Sequence, residues 1–399
     1  VRPGARGLAA LALGTFAIGT SEFFVMGMVT VLSDSLHVSV AAVGSLVTAY
    51  AVGVAVGAPA MIVALNRVPR RRALEVLLAL FVLSHVVAAF APTFEWLVVL
   101  RFVGGLPHGA FFGLAAVVGT TLVPASSHGR AIATILVGVT LANVVGVPAA
   151  TALAQNVGWR PAFAVVAMMG GAALMAVRHA IPGRLDLPMP SLRAEFAGLL
   201  NRHSLLTIAT VAVGFSGLFT VYAFIDPLMT RHVGLSSHLL PWVFAIVGVG
   251  FTVGTIVGGW ATDRSVRWAL TGGLAVLAIS LTALGFVGGS AWGAILVLFV
   301  IGAASFAAET PVQKRLIDQA PDAPTVASAT NQSAFNAANA IGAGLGGVIV
   351  GSGWSLSALG PMGGACAGVG LILALVSFTT DGDPGGRARA SSTSLSPLG

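Results

Sequence analysis

Read from end to end, the chain alternates long apolar runs with short polar breaks. Twelve runs stand out, at 8–32, 40–65, 73–91, 96–122, 131–155, 161–180, 204–229, 239–262, 268–288, 291–312, 326–350 and 361–379. A helix needs about 20 apolar residues to cross the hydrocarbon core of a bilayer, and each run is of that order. The runs are continuous rather than alternating and exceed the length of barrel strands, so helices are predicted. The expected architecture is an all-α polytopic membrane protein with twelve transmembrane helices.

Composition agrees. The 399 residues are 56% hydrophobic and 8% charged, with a mean hydropathy of +0.95. A soluble chain of this length needs far more surface charge. The first run is too long for the apolar core of a cleavable signal. The one cysteine, Cys366, lies in an apolar run. That excludes a disulfide framework and a CxxC metal site, and no cofactor or metal is expected.

The net charge of +7 changes the picture only once its placement is read. With the N-terminus inside, seventeen basic residues fall in cytoplasmic segments, and Arg160 and Arg231 alone fall outside. Cytoplasmic loops carry the excess of Lys and Arg. Both termini are therefore expected in the cytoplasm, and the positive charge is a topology signal. Nucleic acid is not an expected partner; the bilayer is.

The longest connection, 181–203, is Pro-rich and then reads as a short amphipathic helix with Leu192, Phe196, Leu199 and Leu200 on its apolar side. It divides the chain into six-span halves, 1–180 and 204–380. The polar, Gly/Ser-rich segment 381–399 is expected to be a disordered cytoplasmic tail. The halves repeat. Gly53, Gly57, Asn66, Arg67 and Arg70 recur as Gly250, Gly254, Asp263, Arg264 and Arg267, each 197 residues later. Ala142-Asn143-x-x-Gly146 matches Ala338-Asn339-x-x-Gly342, and Gly158-Trp159 matches Gly353-Trp354. Two parallel six-span repeats with a site between them is a layout of secondary transporters. The chain carries no phosphate-cradling loop, so ATP is not the expected driver.

At these positions the chain resembles the major facilitator superfamily, and in particular its twelve-span drug:proton antiporters of the arabinose-efflux-permease-like and chloramphenicol-resistance-like kind. The loop NRVPRRR, 66–72, is similar to the family's Asp-Arg-x-Gly-Arg-Arg gating loop, with Asn66 and Pro69 as departures. Its second copy, GWATDR at 259–264, keeps the acid as Asp263. Span four carries RFVGGLPHGAFFG, 101–113, which resembles the exporter form of that helix. Span five carries Gly138-x-x-x-Ala142-Asn143-x-x-Gly146-x-Pro148, similar to the antiporter motif with its Gly-Pro pair respaced. Span eleven, NQSAFNAANAIG at 331–342, is also similar to this branch.

Ionisable residues inside spans are rare and usually functional. Glu22 lies mid-span in GTSEFFVMG, 19–27, and is expected to carry the proton. Its counterpart 197 residues on is Phe219, so the acid is not shared scaffold. Arg101, Gly105, His108 and Phe112 share a helix face. The resemblance implies that Arg101 controls the charge of a neighbouring carboxylate; capping of backbone carbonyls is the alternative. His108 is either a titrating group or a bonded structural histidine, and His85 reads as structural. Phe215, Phe219, Tyr222 and Asp226 share a face of span seven, as a substrate wall or as packing. Asp226 is a departure from related exporters, either contacting a cationic substrate or sitting in interfacial water. Asn143, Gln332, Asn336 and Asn339 either bond across helices or line the cavity. Asn66, Arg67, Arg70, Arg71, Asp263 and Arg264 form an expected cytoplasmic gate. Glu309, near Lys314 and Arg315, is a gate ion pair or an interfacial acid.

Ser21, Glu22, His85 and His108 bear chemistry, but no nucleophile elbow or HExxH accompanies them, so an enzyme is not expected. The expectation is a monomeric, multi-pass protein of the bacterial inner membrane. It exports small amphipathic molecules such as antibiotics in exchange for protons. A sugar, nucleoside or other metabolite exporter, or an uncoupled facilitator, is the alternative on the same fold.

Overall fold

The computed structural model describes residues 3–124, 127–183, 185, 202–319 and 324–380. The amphipathic helix expected across 192–200 and the tail 381–399 lie outside the described residues. A bilayer offers no partners for backbone N–H and C=O groups, so each apolar run closes its own hydrogen bonds as a helix. Among the described residues, twelve helices long and apolar enough to span result: α1 Gly4–Gly27, α2 Val40–Ala64, α3 Arg70–Ala89, α4 Phe94–Thr121, α5 His128–Val157, α6 Trp159–Ala180, α7 Arg202–Tyr222, α8 Ser237–Arg264, α9 Val266–Leu284, α10 Ala291–Gln319, α11 Thr330–Gly351 and α12 Leu356–Thr379. Each contains or overlaps one predicted run. Large apolar side chains such as Ile279, Leu296 and Ile372 stay exposed, as lipid-facing residues do.

The helices form two six-helix bundles of like design. In the first, α1 packs on α5 and α6, α2 on α4, and α3 on α4 and α6. The second repeats this with α7 on α11 and α12, α8 on α10, and α9 on α10 and α12. The repeat extends to single atoms. Gly53 lies against the Phe102 carbonyl and Gly57 against the Leu106 backbone; Gly250 lies against the Phe299 carbonyl and Gly254 against the Ala303 backbone. Each contact in the second bundle is the first moved 197 residues along. A Cβ at these glycines would collide with backbone that cannot move aside, so they are what lets α2 reach α4 and α8 reach α10.

Between the bundles, α2 packs on α11 and α5 on α8. The side at which α1 begins and α12 ends carries Arg67, Arg70, Arg71, Arg72, Arg264 and Arg267 and is called the basic end; the other is the far end. Among the described residues, side-chain hydrogen bonds between the bundles lie at the far end. Thr30 bonds Asp226, and Arg231 bonds Asp34. Ala41 of α2 also meets Gly351 of α11 there.

Three first-bundle helices are irregular where polar residues cluster. Regular helix in α1 ends at Phe23, directly after Glu22, and a tight 3-10 turn covers Phe24–Gly27. A short helix, Val29–Leu36, continues toward the far end. In α4 the helix breaks between Gly105 and His108 at Leu106 and Pro107, where proline has no N–H to give. In α5 a π-turn covers Ala142–Gly146. Such turns are often found at functional sites.

Candidate functional site

Glu22 closes the last regular turn of α1 and is 4% exposed. It does not face lipid. On the α5 side, Gly19 meets Val139 and Ala142, and Gly27 meets Thr151. The carboxyl shares its pocket with α2 and α4. Its Oε2 lies 3.8 Å from Nε2 of His108, beyond hydrogen-bond range, and its Oε1 has no partner.

Arg101 is 1% exposed, an unusual position for a guanidinium. It rests 4.0 Å over the Tyr50 ring, a cation–π contact that offsets part of its desolvation. Its Nη1 donates to the Ser21 carbonyl at 3.0 Å and to Ser21 Oγ at 3.2 Å, and its Nε donates to the Leu46 carbonyl at 3.4 Å. Arg101 thus caps backbone carbonyls, and one of them belongs to Ser21, the neighbour of Glu22. It does not pair with Glu22, and its Nη2 has no partner.

Two more side chains complete the network. His108 Nδ1 lies 3.2 Å from the Tyr50 hydroxyl, and its ring stacks on Phe112 at 4.8 Å. His85 Nε2 lies 2.6 Å from Ser21 Oγ. His85, read from sequence as structural, is therefore joined to Arg101 through Ser21. Tyr50 was not singled out by the sequence. A signal existed: the chain has only 2 tyrosines, and both are buried in the site region.

On the second-bundle side the surroundings turn aromatic. Phe23, next to Glu22, stacks on Phe219 at 6.4 Å and meets Tyr222 edge-on at 5.5 Å. Phe219 continues to Phe335, and Phe335 to Phe306 and Phe215. At the positions equivalent to Glu22, Tyr50 and Arg101, the second bundle holds Phe219, Val247 and Leu298. Val247 and Leu298 line an apolar pocket together with Tyr222. One locus is therefore polar in the first bundle and apolar in the second.

The amides sit beside this tract. Asn339 is 0% exposed and neither of its side-chain polar atoms has a partner. Asn336 donates to the Gln332 carbonyl and Asn143 to the Val139 carbonyl, and each leaves its Oδ1 unpartnered. Gln332 is half-buried. Asn143 lies in the π-turn, with its backbone carbonyl against Gly248 of α8.

Other expected site residues are placed differently. Asp226 is held by the opposite bundle. It is 0% exposed and accepts from the Thr30 amide at 2.7 Å and from the Thr30 hydroxyl at 2.7–2.9 Å. The amide belongs to the first turn of the helix Val29–Leu36, whose own N-cap residue supplies no side-chain bond. A carboxylate from the opposite bundle therefore caps it. Glu309 makes no ion pair with Lys314 or Arg315. It accepts from Asn331 Nδ2 at 2.9 Å, while Lys314 pairs with Asp318 one turn on and Arg315 bonds Thr207 and Ser377.

Of the expected gate, Arg71 pairs with Glu75 in its own helix at 2.9 Å. Arg264 donates to the Trp260 carbonyl and lies 3.5 Å over its ring. Asp263 and Arg67 are exposed, and Asn66 and Arg70 are partly so. Among the described residues none of these gate side chains bonds to the opposite bundle.

The sequence profile described as Major Facilitator Superfamily matches residues 11–225 and again 206–398. Inner membrane transport protein YdhP of Escherichia coli (strain K12) is 38% identical over 370 residues, covering 93% of this chain and 95% of that protein. A chloramphenicol resistance protein of Streptomyces lividans is 34% identical over 337 residues, covering 83% and 86%. A solved D-xylose–proton symporter superposes with a TM-score of 0.75 at 18% identity, covering 93% and 96%, and shows the fold alone.

Proposed function

The chain belongs to the major facilitator superfamily and is a multi-pass transport protein of the bacterial inner membrane, and from that premise we propose that it exports small amphipathic molecules in exchange for protons. One observation carries the proposal. Glu22 is a buried carboxyl with a free oxygen, beside an arginine that is bonded elsewhere and a histidine just out of reach. A carboxylate fixed in an ion pair would hold its charge; this one is free to take up and give up a proton.

The remaining parts fit alternating access. The positive-inside bias assigns the basic end to the cytoplasm and the far end to the outside. Bonds between the bundles at the far end then hold the outer face shut, with the gate arginines of the basic end unengaged across the interface. Cargo would lie against Phe219, Tyr222 and Phe335, where the two bundles meet. Proton and cargo at adjacent sites influence each other's binding reciprocally. The relative named a chloramphenicol resistance protein is in keeping with such cargo.

A second reading rests on the amides. The unpartnered polar atoms of Asn336 and Asn339 suit a hydroxyl-rich cargo such as a sugar or nucleoside. Transport in proteoliposomes decides between them, with chloramphenicol and ethidium against a panel of pentoses and nucleosides. The coupling test is Glu22→Gln: gradient-driven transport is lost while counterflow of cargo persists. Gradient-driven transport at the wild-type rate in this variant refutes Glu22 as carrier.

A further inference from the structure

We infer that His85 is a positioning residue of the proton site: acting through Ser21, it tethers the Arg101 guanidinium away from Glu22 and so keeps the carboxyl free to exchange its proton. The inference rests on the proposed role of Glu22.

The bonds define a chain with one direction. His85 Nδ1 lies 2.8 Å from the Phe81 carbonyl, which can only accept. That fixes a proton on Nδ1 and leaves the lone pair of the neutral ring on Nε2. Ser84 agrees, since its hydroxyl also donates to the Phe81 carbonyl and leaves only its oxygen for Nδ1 at 3.2 Å. Ser21, 2.6 Å from Nε2, must then donate to His85. With its proton committed, the Ser21 oxygen presents a lone pair to Arg101. The order is Arg101 to Ser21 to His85 to the Phe81 carbonyl, ending on the backbone of α3.

The tether solves a problem that the sequence creates. Ser21 and Glu22 are neighbours, so a guanidinium held on Ser21 is close to a carboxylate with a free oxygen. An arginine–carboxylate pair is the stronger bond available to both. Yet no Arg101 nitrogen lies within ion-pair distance of Glu22, and both Arg101 Nη2 and Glu22 Oε1 lack partners. Ser21, Leu46 and the Tyr50 ring hold the guanidinium where it is.

Room for the arrangement comes from Gly104. A Cβ there would lie 3.0 Å from Ser84 Oγ and 3.2 Å from His85 Cε1, so a side chain on α4 would press the imidazole off its place. Phe81 and Phe163 flank the ring at 4.2 and 6.1 Å. The charged or titratable groups facing it are Arg101 from α4 and, beside its partner Ser21, Glu22 from α1; α6 presents Phe163.

The test compares the pH dependence of gradient-driven transport in proteoliposomes for wild type, His85→Leu, Ser21→Ala, the double variant and His85→Gln. Without the tether Arg101 reaches Glu22, and the proton concentration for half-maximal drive rises about tenfold in either single variant, the low end of what a neighbouring arginine does to a carboxyl. The double variant goes no further, because both changes cut one chain. Gln at 85 can donate to Phe81 and accept from Ser21, and holds the wild-type profile. An unchanged profile in Ser21→Ala and in a folded His85→Leu overturns the tether; so does a profile in His85→Gln displaced as far as in His85→Leu. If His85→Leu does not fold, Ser21→Ala with His85→Gln decides alone. The two ideas fail separately: Glu22→Gln that keeps its drive removes the carrier, whereas Glu22→Gln that loses it with the tether variants unmoved removes only His85.

Discussion

Replacing Asp226 with alanine should loosen the far end of the protein and little else. The carboxylate takes two donors from Thr30 across the interface, the amide and the hydroxyl, at 2.7–2.9 Å. A hydrogen bond to a charged group contributes about 1.5–3 kcal/mol. Two bonds at the low end amount to about 3 kcal/mol, and every 1.4 kcal/mol is tenfold in an equilibrium. The closed far end should thus lose about 100-fold in population relative to the open one. The Asp34–Arg231 pair supplies the control. At 3.5 Å, with side chains 75% and 47% exposed, it resembles exposed ion pairs that add about 0–1 kcal/mol. Spin labels at Ser35→Cys and Ser237→Cys, in a Cys366→Ser background, report the separation of the bundles at this end by pulsed electron resonance. Asp226→Ala should shift the distance distribution to longer values, and Asp34→Ala should leave it in place. An unchanged distribution in Asp226→Ala refutes the assignment of far-end closure to this bond.

Other outcomes follow from the packing. Asn339→Leu removes two buried unpartnered polar atoms and should stabilise the fold by about 1 kcal/mol in thermal unfolding, while cargo affinity drops if the amide contacts cargo. Gly254→Val should destabilise by about 1–3 kcal/mol or more, because its Cβ meets the Ala303 backbone. Gly259→Val, with nothing within 4 Å, should be neutral in the same melt. A periplasm-dependent reporter fused at either chain end should be inactive, and one inserted between Gly288 and Gly289 active; the reverse pattern overturns the assigned orientation.

The fold was legible because a bilayer reduces prediction to counting: an apolar run of sufficient length has one way to satisfy its backbone. The repeat was legible because the glycines that close α2 on α4 and α8 on α10 admit no side chain. The site was legible only in its costliest members. Glu22, Arg101 and His108 stand out because ionised or titratable groups are expensive inside a span. Tyr50 does not, since an amphipathic ring packs in any core, and His85 stands out only as a structural histidine. Their partners lie 58 and 64 residues away in sequence. Glu309 and Lys314 were grouped by proximity in sequence, but Asp318 one helical turn from the lysine gave a better partner. Asp226 was identified as an oddity; its partner Thr30, 196 residues away, could be supplied only by the fold.

The contrast between Glu22, Tyr50 and Arg101 in one bundle and Phe219, Val247 and Leu298 at the matching places in the other has an electrical consequence. One carboxyl at this locus gives the proposed cycle one proton. Exporting an uncharged molecule then carries one net positive charge inward, and the membrane voltage adds about 2.3 kcal/mol of drive per 100 mV. A monovalent cation leaving as the proton enters exchanges charge for charge, and voltage adds nothing. The same protein should therefore concentrate neutral cargo more steeply in polarised vesicles, and cationic cargo equally with and without polarisation.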